Sequence, residues 1–189
     1  MHFRLKAIPL KEPELIVKCK KGDRKAQEAL FERFADRMFR LTSRYILSIA
    51  DSEDVLIMAF TKVYANIVSF TDRGEGSLEA WIRKVVVNES LMWLRRRHNF
   101  NMTESIESEN EYVDLNDFSM LAPNDIARFI AGLPNGYRTV FNLSVIEGYS
   151  HMEIASMLGI SESTSRTQLF KAKALLKKIL TQEGYHYGT

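Results

Sequence analysis

Near the end of the chain Ser163, Arg166, Thr167, Phe170 and Lys171 follow one another at steps of three, one, three and one, with Lys173, Lys177 and Lys178 beyond. This spacing gathers them on one side of a helix. Short hydroxyls and an arginine come first, lysines later. An arginine can donate two parallel hydrogen bonds to guanine O6 and N7, and cations beyond it neutralise phosphate. The layout fits a helix whose first turns reach base edges in duplex DNA; a solvated basic face is the alternative. A second cationic group lies upstream, where Trp93-Leu94-Arg95-Arg96-Arg97-His98 closes a stretch that also holds Trp81, Arg83, Lys84, Asn88 and Ser90. A single-stranded nucleic acid needs cations for its phosphates and rings for its unstacked bases, and both are here. The same arginines also suit the negative end of a helix dipole.

Residues for catalysis are not assembled in this way. His2, His98, His151 and His186 are scattered, and no glycine-rich phosphate loop or metal-ligand spacing occurs. The single cysteine, Cys19, falls on the apolar side of its helix and reads as a core thiol. The expectation is a protein that is not an enzyme, with no catalytic residue, no metal and no cofactor. One cysteine excludes an intrachain disulfide and fits a reducing interior. No 18 apolar residues run together and no signal-peptide core opens the chain, so a soluble, cytoplasmic protein without membrane insertion is expected.

The 189 residues suffice for one ordinary domain or two small ones. A net charge of +2 conceals three segments: residues 1–100 carry +6, residues 101–125 carry −7 without a single lysine or arginine, and residues 126–189 carry +3. Two basic blocks thus flank an acidic connector, which suggests polyanion binders joined by a segment that DNA repels; a solubilising acidic loop is the alternative. The spacing predicts four helices in the first block. Pro13 starts a short one that Gly22 stops, and Asp23 caps a second with Ala26, Leu30, Phe34, Met38, Leu41 and Tyr45 inward. A third runs from about Ser52 to Phe70 and a fourth from about Ser77 to Arg97, separated by Thr71-Asp72-Arg73-Gly74-Glu75-Gly76. The third has two apolar stripes, Val55, Ala59, Phe60, Val63 and Ile67 on one face and Ile57, Thr61, Tyr64 and Val68 on another. Such a helix is either wholly buried, the commoner case, or docks a partner.

In the second block Leu133-Pro134 precedes a helix carrying Val140, Phe141, Leu143, Val145 and Ile146, which Gly148 ends. Ser150-His151-Met152-Glu153 has the form of a capping box, Gly159 permits a tight turn, and Ser161 caps a last helix with Ser165, Leu169, Ala172, Leu176 and Ile179 inward. Short helix, turn and longer helix make a helix-turn-helix. The fold class expected is all-α: helical domains at 13–98 and 124–182, the second a helix-turn-helix, joined by an acidic linker at 99–123.

Over residues 13–182 the chain resembles bacterial sigma factors of the extracytoplasmic-function type. In the later block it shows Leu133-Pro134, Glu147-Gly148-Tyr149-Ser150, Glu153-Ile154-Ala155, Leu158-Gly159-Ile160-Ser161, Thr164 and Arg166. In the earlier it shows Asp51-Ser52-Glu53-Asp54-Val55, Phe60, Lys62-Val63-Tyr64, Trp81-Ile82, Asn88 and Leu94-Arg95-Arg96. The resemblance implies that Asp51, Asp54, Ile57, Met58, Thr61 and Tyr64 dock core RNA polymerase on the β′ clamp helices. It implies that Arg73, Trp81, Arg83, Lys84, Asn88, Arg95 and Arg96 hold the melted −10 strand. It further implies that Ser163, Arg166, Thr167, Phe170, Lys171 and Lys173 read the −35 duplex of promoter DNA, with the last domain also touching the polymerase β flap. The acidic linker would lie in the channel towards the polymerase active centre, and many relatives have a membrane-linked anti-sigma factor as partner. Five positions depart from the family pattern: Ile57 and Met58 where Gln and an acid are usual, Leu78 where an aromatic is common, Met92 where Asp is common, and Ser165 where an apolar residue is usual. A stand-alone helix-turn-helix regulator that binds duplex without polymerase is the alternative function.

Overall fold

Short polar side chains set where the helices begin. The structure, a computed structural model, describes residues 11–98 and 125–185. The expected acidic linker therefore lies outside the described residues. The chain divides into two compact units after Trp93. In the first, α1 (Glu12–Lys20) carries Pro13 in its opening turn, where a missing N–H costs nothing. Asp23 accepts from Ala26 N at 3.1 Å to open α2 (Arg24–Tyr45), and Ser48 accepts from Asp51 N at 3.3 Å to open α3 (Ile49–Asn66). Each oxygen satisfies an N–H that has no partner inside its helix. A short 3-10 turn (Ile67–Ser69) follows, and α4 (Ser77–His98) completes the set.

The third helix starts earlier than its spacing predicts. Ser48, not a residue nearer Ser52, supplies the cap; the Ser52 hydroxyl instead donates back to Ile46 O at 2.8 Å. The inward stripe expected for α2 is buried from Ala26 to Tyr45 and packs against α1 and α3. Phe31 meets Phe60 edge-on at 4.8 Å. Two ion pairs reach α4 from its neighbours: Arg37 to Glu79 at 2.7 Å, and Lys62 to the almost wholly buried Glu89 at 2.6 Å. Cys19 is buried, and desolvation, with Asp23 adding to it, pushes its thiol up to about 11. A thiol held neutral in this way is no nucleophile.

The first helix wholly within the second unit, α5 (Asp125–Ala131), is one that the sequence pattern does not reveal, too short for a period to show. Then come α6 (Asn135–Phe141), a π turn (Asn142–Ile146), α7 (His151–Leu158) and α8 (Glu162–Gln182). Phe129 and Leu133 pack on Ala172, Leu176 and Ile179 of α8. The π turn sorts the apolar residues of this stretch. Its wider winding swings Val145 and Ile146 out of the apolar stripe, and both side chains are exposed. At the α5–α6 junction the buried Arg138 guanidinium donates to Ala131 O and Leu133 O, each at 3.0 Å, and to Asn135 Oδ1. It fills carbonyl groups that the end of α5 leaves open. Burial lowers its pKa to about 10, so it keeps its charge near neutral pH. Every regular element among the described residues is helical, as expected.

Candidate functional site

The helix-turn-helix is built from local hydrogen bonds. Ser150 Oγ accepts from Glu153 N at 3.3 Å while Glu153 Oε2 accepts from Ser150 N at 2.8 Å, so the capping box is complete. Gly159 turns with φ +69°, a conformation that glycine adopts without strain, and Ser161 Oγ accepts from Thr164 N at 3.0 Å. The inward residues of α8 are buried as the spacing predicts. Ser165, one of the departures from the family pattern, is wholly buried, and its Oγ lies 2.9 Å from His151 Nδ1. A hydroxyl is tolerated there because it bonds to the first residue of α7, which pins α7 against α8.

Outside, Ser163, Arg166, Thr167, Phe170 and Lys173 are exposed and Lys171 is half-buried. Phe170 leaves 73% of its surface open, a large apolar ring on an otherwise polar face. Arg166 pairs with Glu162 one turn back. The sequence reading did not single out Glu162, though an acid four residues before an arginine on a helix is a legible signal.

On α4 four of the expected −10 residues share one face. Trp81, Lys84, Asn88 and Arg95 step by three, four and seven, and the last three are exposed. Trp81 is half-buried, its ring 5.1 Å from that of Phe70. Arg96 is exposed to one side of this line, while Arg83 lies across the helix, half-buried. Arg73 sits on the loop before α4, whose shape is held by Asp72 and Ser77. Gly74 N and Ser77 Oγ donate to Asp72 Oδ1 at 2.9 and 3.0 Å, and Arg73 N donates to Ser77 Oγ at 3.1 Å. Leu78, another departure, is buried in the core of the unit.

The two stripes of α3 meet different fates. Val55, Ala59, Phe60, Val63 and Ile67 are buried. Ile57 keeps 58% of its surface, Met58 and Val68 are exposed, and Asp54 and Thr61 lie beside them. The commoner reading of a two-faced apolar helix, burial on both sides, therefore does not hold within this unit. Tyr64 is intermediate: its OH donates to Gln27 O at 3.0 Å, its ring tilts against Phe60, and burial pushes its pKa well above the ordinary tyrosine range. Asp51 is half-buried at the start of the helix. Lys62, between the stripes, also approaches Met92 Sδ at 3.8 Å. Glu89, one turn earlier on α4 than Met92, supplies the carboxylate for Lys62.

No cluster of three or more His, Cys, Asp or Glu side chains that could hold a metal occurs among the described residues. Comparison with known proteins agrees with the geometry. Residues 30–100 match the family described as Sigma-70 region 2, and residues 124–176 match that described as Sigma-70, region 4. The chain is 28% identical to the ECF RNA polymerase sigma-E factor of Haemophilus influenzae, over 90% of this chain and 96% of that one. It is 29% identical to the factor of the same name from Escherichia coli K12, over 87% and 91%. Among solved structures it is similar to CnrH, described in complex with the cytosolic domain of CnrY, at a TM-score of 0.50 and 21% identity, covering 89% of this chain and 96% of that one, which speaks for the fold. With both regions matched in order, each on its own helical unit, the chain belongs to the sigma-70 family and is built as its extracytoplasmic-function members are.

Proposed function

We propose that this protein is a transcription initiation factor that binds core RNA polymerase and directs it to particular promoters. The observation that carries the reading is the outer face of α3, a row of apolar side chains left in water on a helix whose other stripe closes a core. Exposed apolar surface of this kind marks an interaction site. In the proposal Asp51, Asp54, Ile57, Met58, Thr61 and Tyr64 meet the β′ clamp helices. The line Trp81, Lys84, Asn88 and Arg95, with Arg73, Arg83 and Arg96, holds the melted −10 strand. α8 reads the −35 duplex through Ser163, Arg166, Thr167, Phe170, Lys171 and Lys173. Domains at 13–98 and 124–182 and an acidic linker at 99–123 divide the work. No bond is made or broken by this chain. Contacts to unstacked bases offset the few kcal/mol lost on melting each step.

Two finer points belong to the same proposal. The site of action is the cytoplasm, where polymerase works; no described helix is long and apolar enough to cross a membrane. An inhibitory partner protein of the anti-sigma kind would hold the factor, a reading supported by the complex in which CnrH was solved. The test is to mix the full chain with bacterial core polymerase. A stable one-to-one complex that opens promoter DNA is expected. Failure to bind polymerase, together with tight salt-sensitive binding to duplex by the chain alone, would instead establish a stand-alone regulator.

A further inference from the structure

Beside the outward face of α8 lies a recess of about 150 Å³ formed by Tyr137 of α6 and by Ser163, Thr164, Thr167, Gln168 and Lys171 of α8. Its chemistry is one-sided. The residues that line it bring four hydroxyl groups, an amide and an ammonium and no carboxylate; the Ser163 and Thr164 hydroxyls also bond to Ser161 Oγ, each at 2.8 Å. Hydroxyls and an ammonium are donors to an anion. A volume of this size is enough to admit a small tetrahedral anion such as a phosphodiester group.

The recess also sorts the residues of α8 by what they can reach. At about 100° per residue, Arg166 and Lys171 stand about 140° apart, on opposite flanks of the outward face. Lys171 is half-buried on the flank towards α6, whereas Arg166 is exposed on the other. A half-buried ammonium is a point charge without the planar fork that matches guanine, and Arg166 has that fork. Tyr137 is invisible to a reading of α8 alone, because it arrives from another helix.

We propose that this recess seats one backbone phosphate of the −35 duplex, with Lys171 supplying charge and Thr167, Ser163 and Tyr137 donating hydrogen bonds, so that Lys171 sets the register of α8 while Arg166 reads sequence. The proposal rests on the reading of α8 as a duplex binder and adds what each flank does. Inorganic phosphate offers the same chemistry, and the experiment separates the two sources.

The full chain bound to core polymerase would be titrated with promoter duplexes carrying a single neutral methylphosphonate at each −35 linkage in turn. One linkage should weaken wild-type binding by about tenfold when neutralised. Lys171→Met should already be weakened to that degree on unmodified DNA, with a salt slope lower by about one, and should not respond further at that linkage. Arg166→Ala should respond there as wild type does, and Tyr137→Phe should respond less. Unchanged thermal unfolding of Lys171→Met and Tyr137→Phe confirms that the variants are folded. Four results would overturn the proposal. Lys171→Met could change base preference while keeping every methylphosphonate response. Inorganic phosphate at matched ionic strength could displace duplex while no linkage couples to Lys171. Wild type could show neither base preference nor any methylphosphonate response at −35, in which case the parent reading of α8 fails as well; retained base preference without coupling at Lys171 removes the phosphate seat alone.

Discussion

Arg166 stands between two partners, the carboxylate of Glu162 one turn back and whatever its guanidinium meets in a groove. The pair is exposed, so its own contribution to stability is below about 1 kcal/mol. Its effect on recognition is larger in kind, because a guanine edge must displace Glu162, whereas a bare phosphate meets the repulsion of that carboxylate. Arg166→Ala should cost about 1–3 kcal/mol of discrimination at one or two −35 positions, measured by competition between wild-type and substituted promoters. Glu162→Gln should do the reverse for non-specific DNA, strengthening binding to all duplexes and so narrowing the specific-to-non-specific ratio; an unchanged ratio would leave the pair without a role in recognition. Cys19 offers a second expectation. Its thiol ionises near 9 when free and near 11 in the fold, so the folded state favours the neutral form. Stability from this residue is complete below pH 9 and is lost as pH rises towards 11. Cys19→Ala should flatten that decline, and iodoacetamide should label the thiol far more slowly in native than in urea-unfolded protein.

Among the elements, α3 carries the sharpest test. Ile57→Asp alters a side chain that contributes little to packing, so unfolding free energy should change by no more than about 0.5 kcal/mol while capture of core polymerase is lost. Tyr64 is less clean, since its ring and hydroxyl both serve the fold. Tyr64→Phe should cost about 1 kcal/mol of stability and leave polymerase binding nearly intact. Calorimetry and pull-down on the two variants separate docking from packing. These helices also show what the chain makes legible and what it does not. The stripes of α2 and α8, the cap at Asp23 and the capping box at Ser150 follow from periodicity and short polar residues, which act within a few positions of one another. The start of α3 is not legible in the sequence because both Ser48 and Ser52 are able to cap, and only packing turns the Ser52 hydroxyl towards Ile46 O. The outward turn of Val145 and Ile146 follows from a π turn, which leaves no mark on the spacing. The outward residues of α8 could be named from the sequence. Tyr137 and the Lys62–Glu89 pair could not, because each joins residues on different helices.

At the scale of the whole molecule, charge is the governing variable. The −7 of residues 101–125 lies in the chain between basic blocks of +6 and +3. Within a Debye length of about 10 Å at 0.1 M salt, fixed acids compete with phosphate for the same cations. Replacing Glu104, Glu107, Glu109 and Glu111 by Gln should therefore strengthen binding of the isolated protein to duplex DNA of any sequence. The gain should shrink as salt rises from 0.05 to 0.3 M, on the order of the range over which such screening acts. A gain that persists at high salt would point to a cause other than screening.

The guanidinium of Arg138 bears on how the second unit comes together. A cation that is to leave water needs all its acceptors at once, and these come from the last residue of α5, the turn after it and the first residue of α6. Neither seven-residue helix could persist alone, since isolated helices of that length are marginal in water. Half-assembled forms of this corner would strand a positive charge in an apolar setting and are correspondingly scarce. The junction thus acts as a cooperative joint, and the hydrogen-bonded amide protons of α5 and α6 should report one common opening free energy in hydrogen exchange.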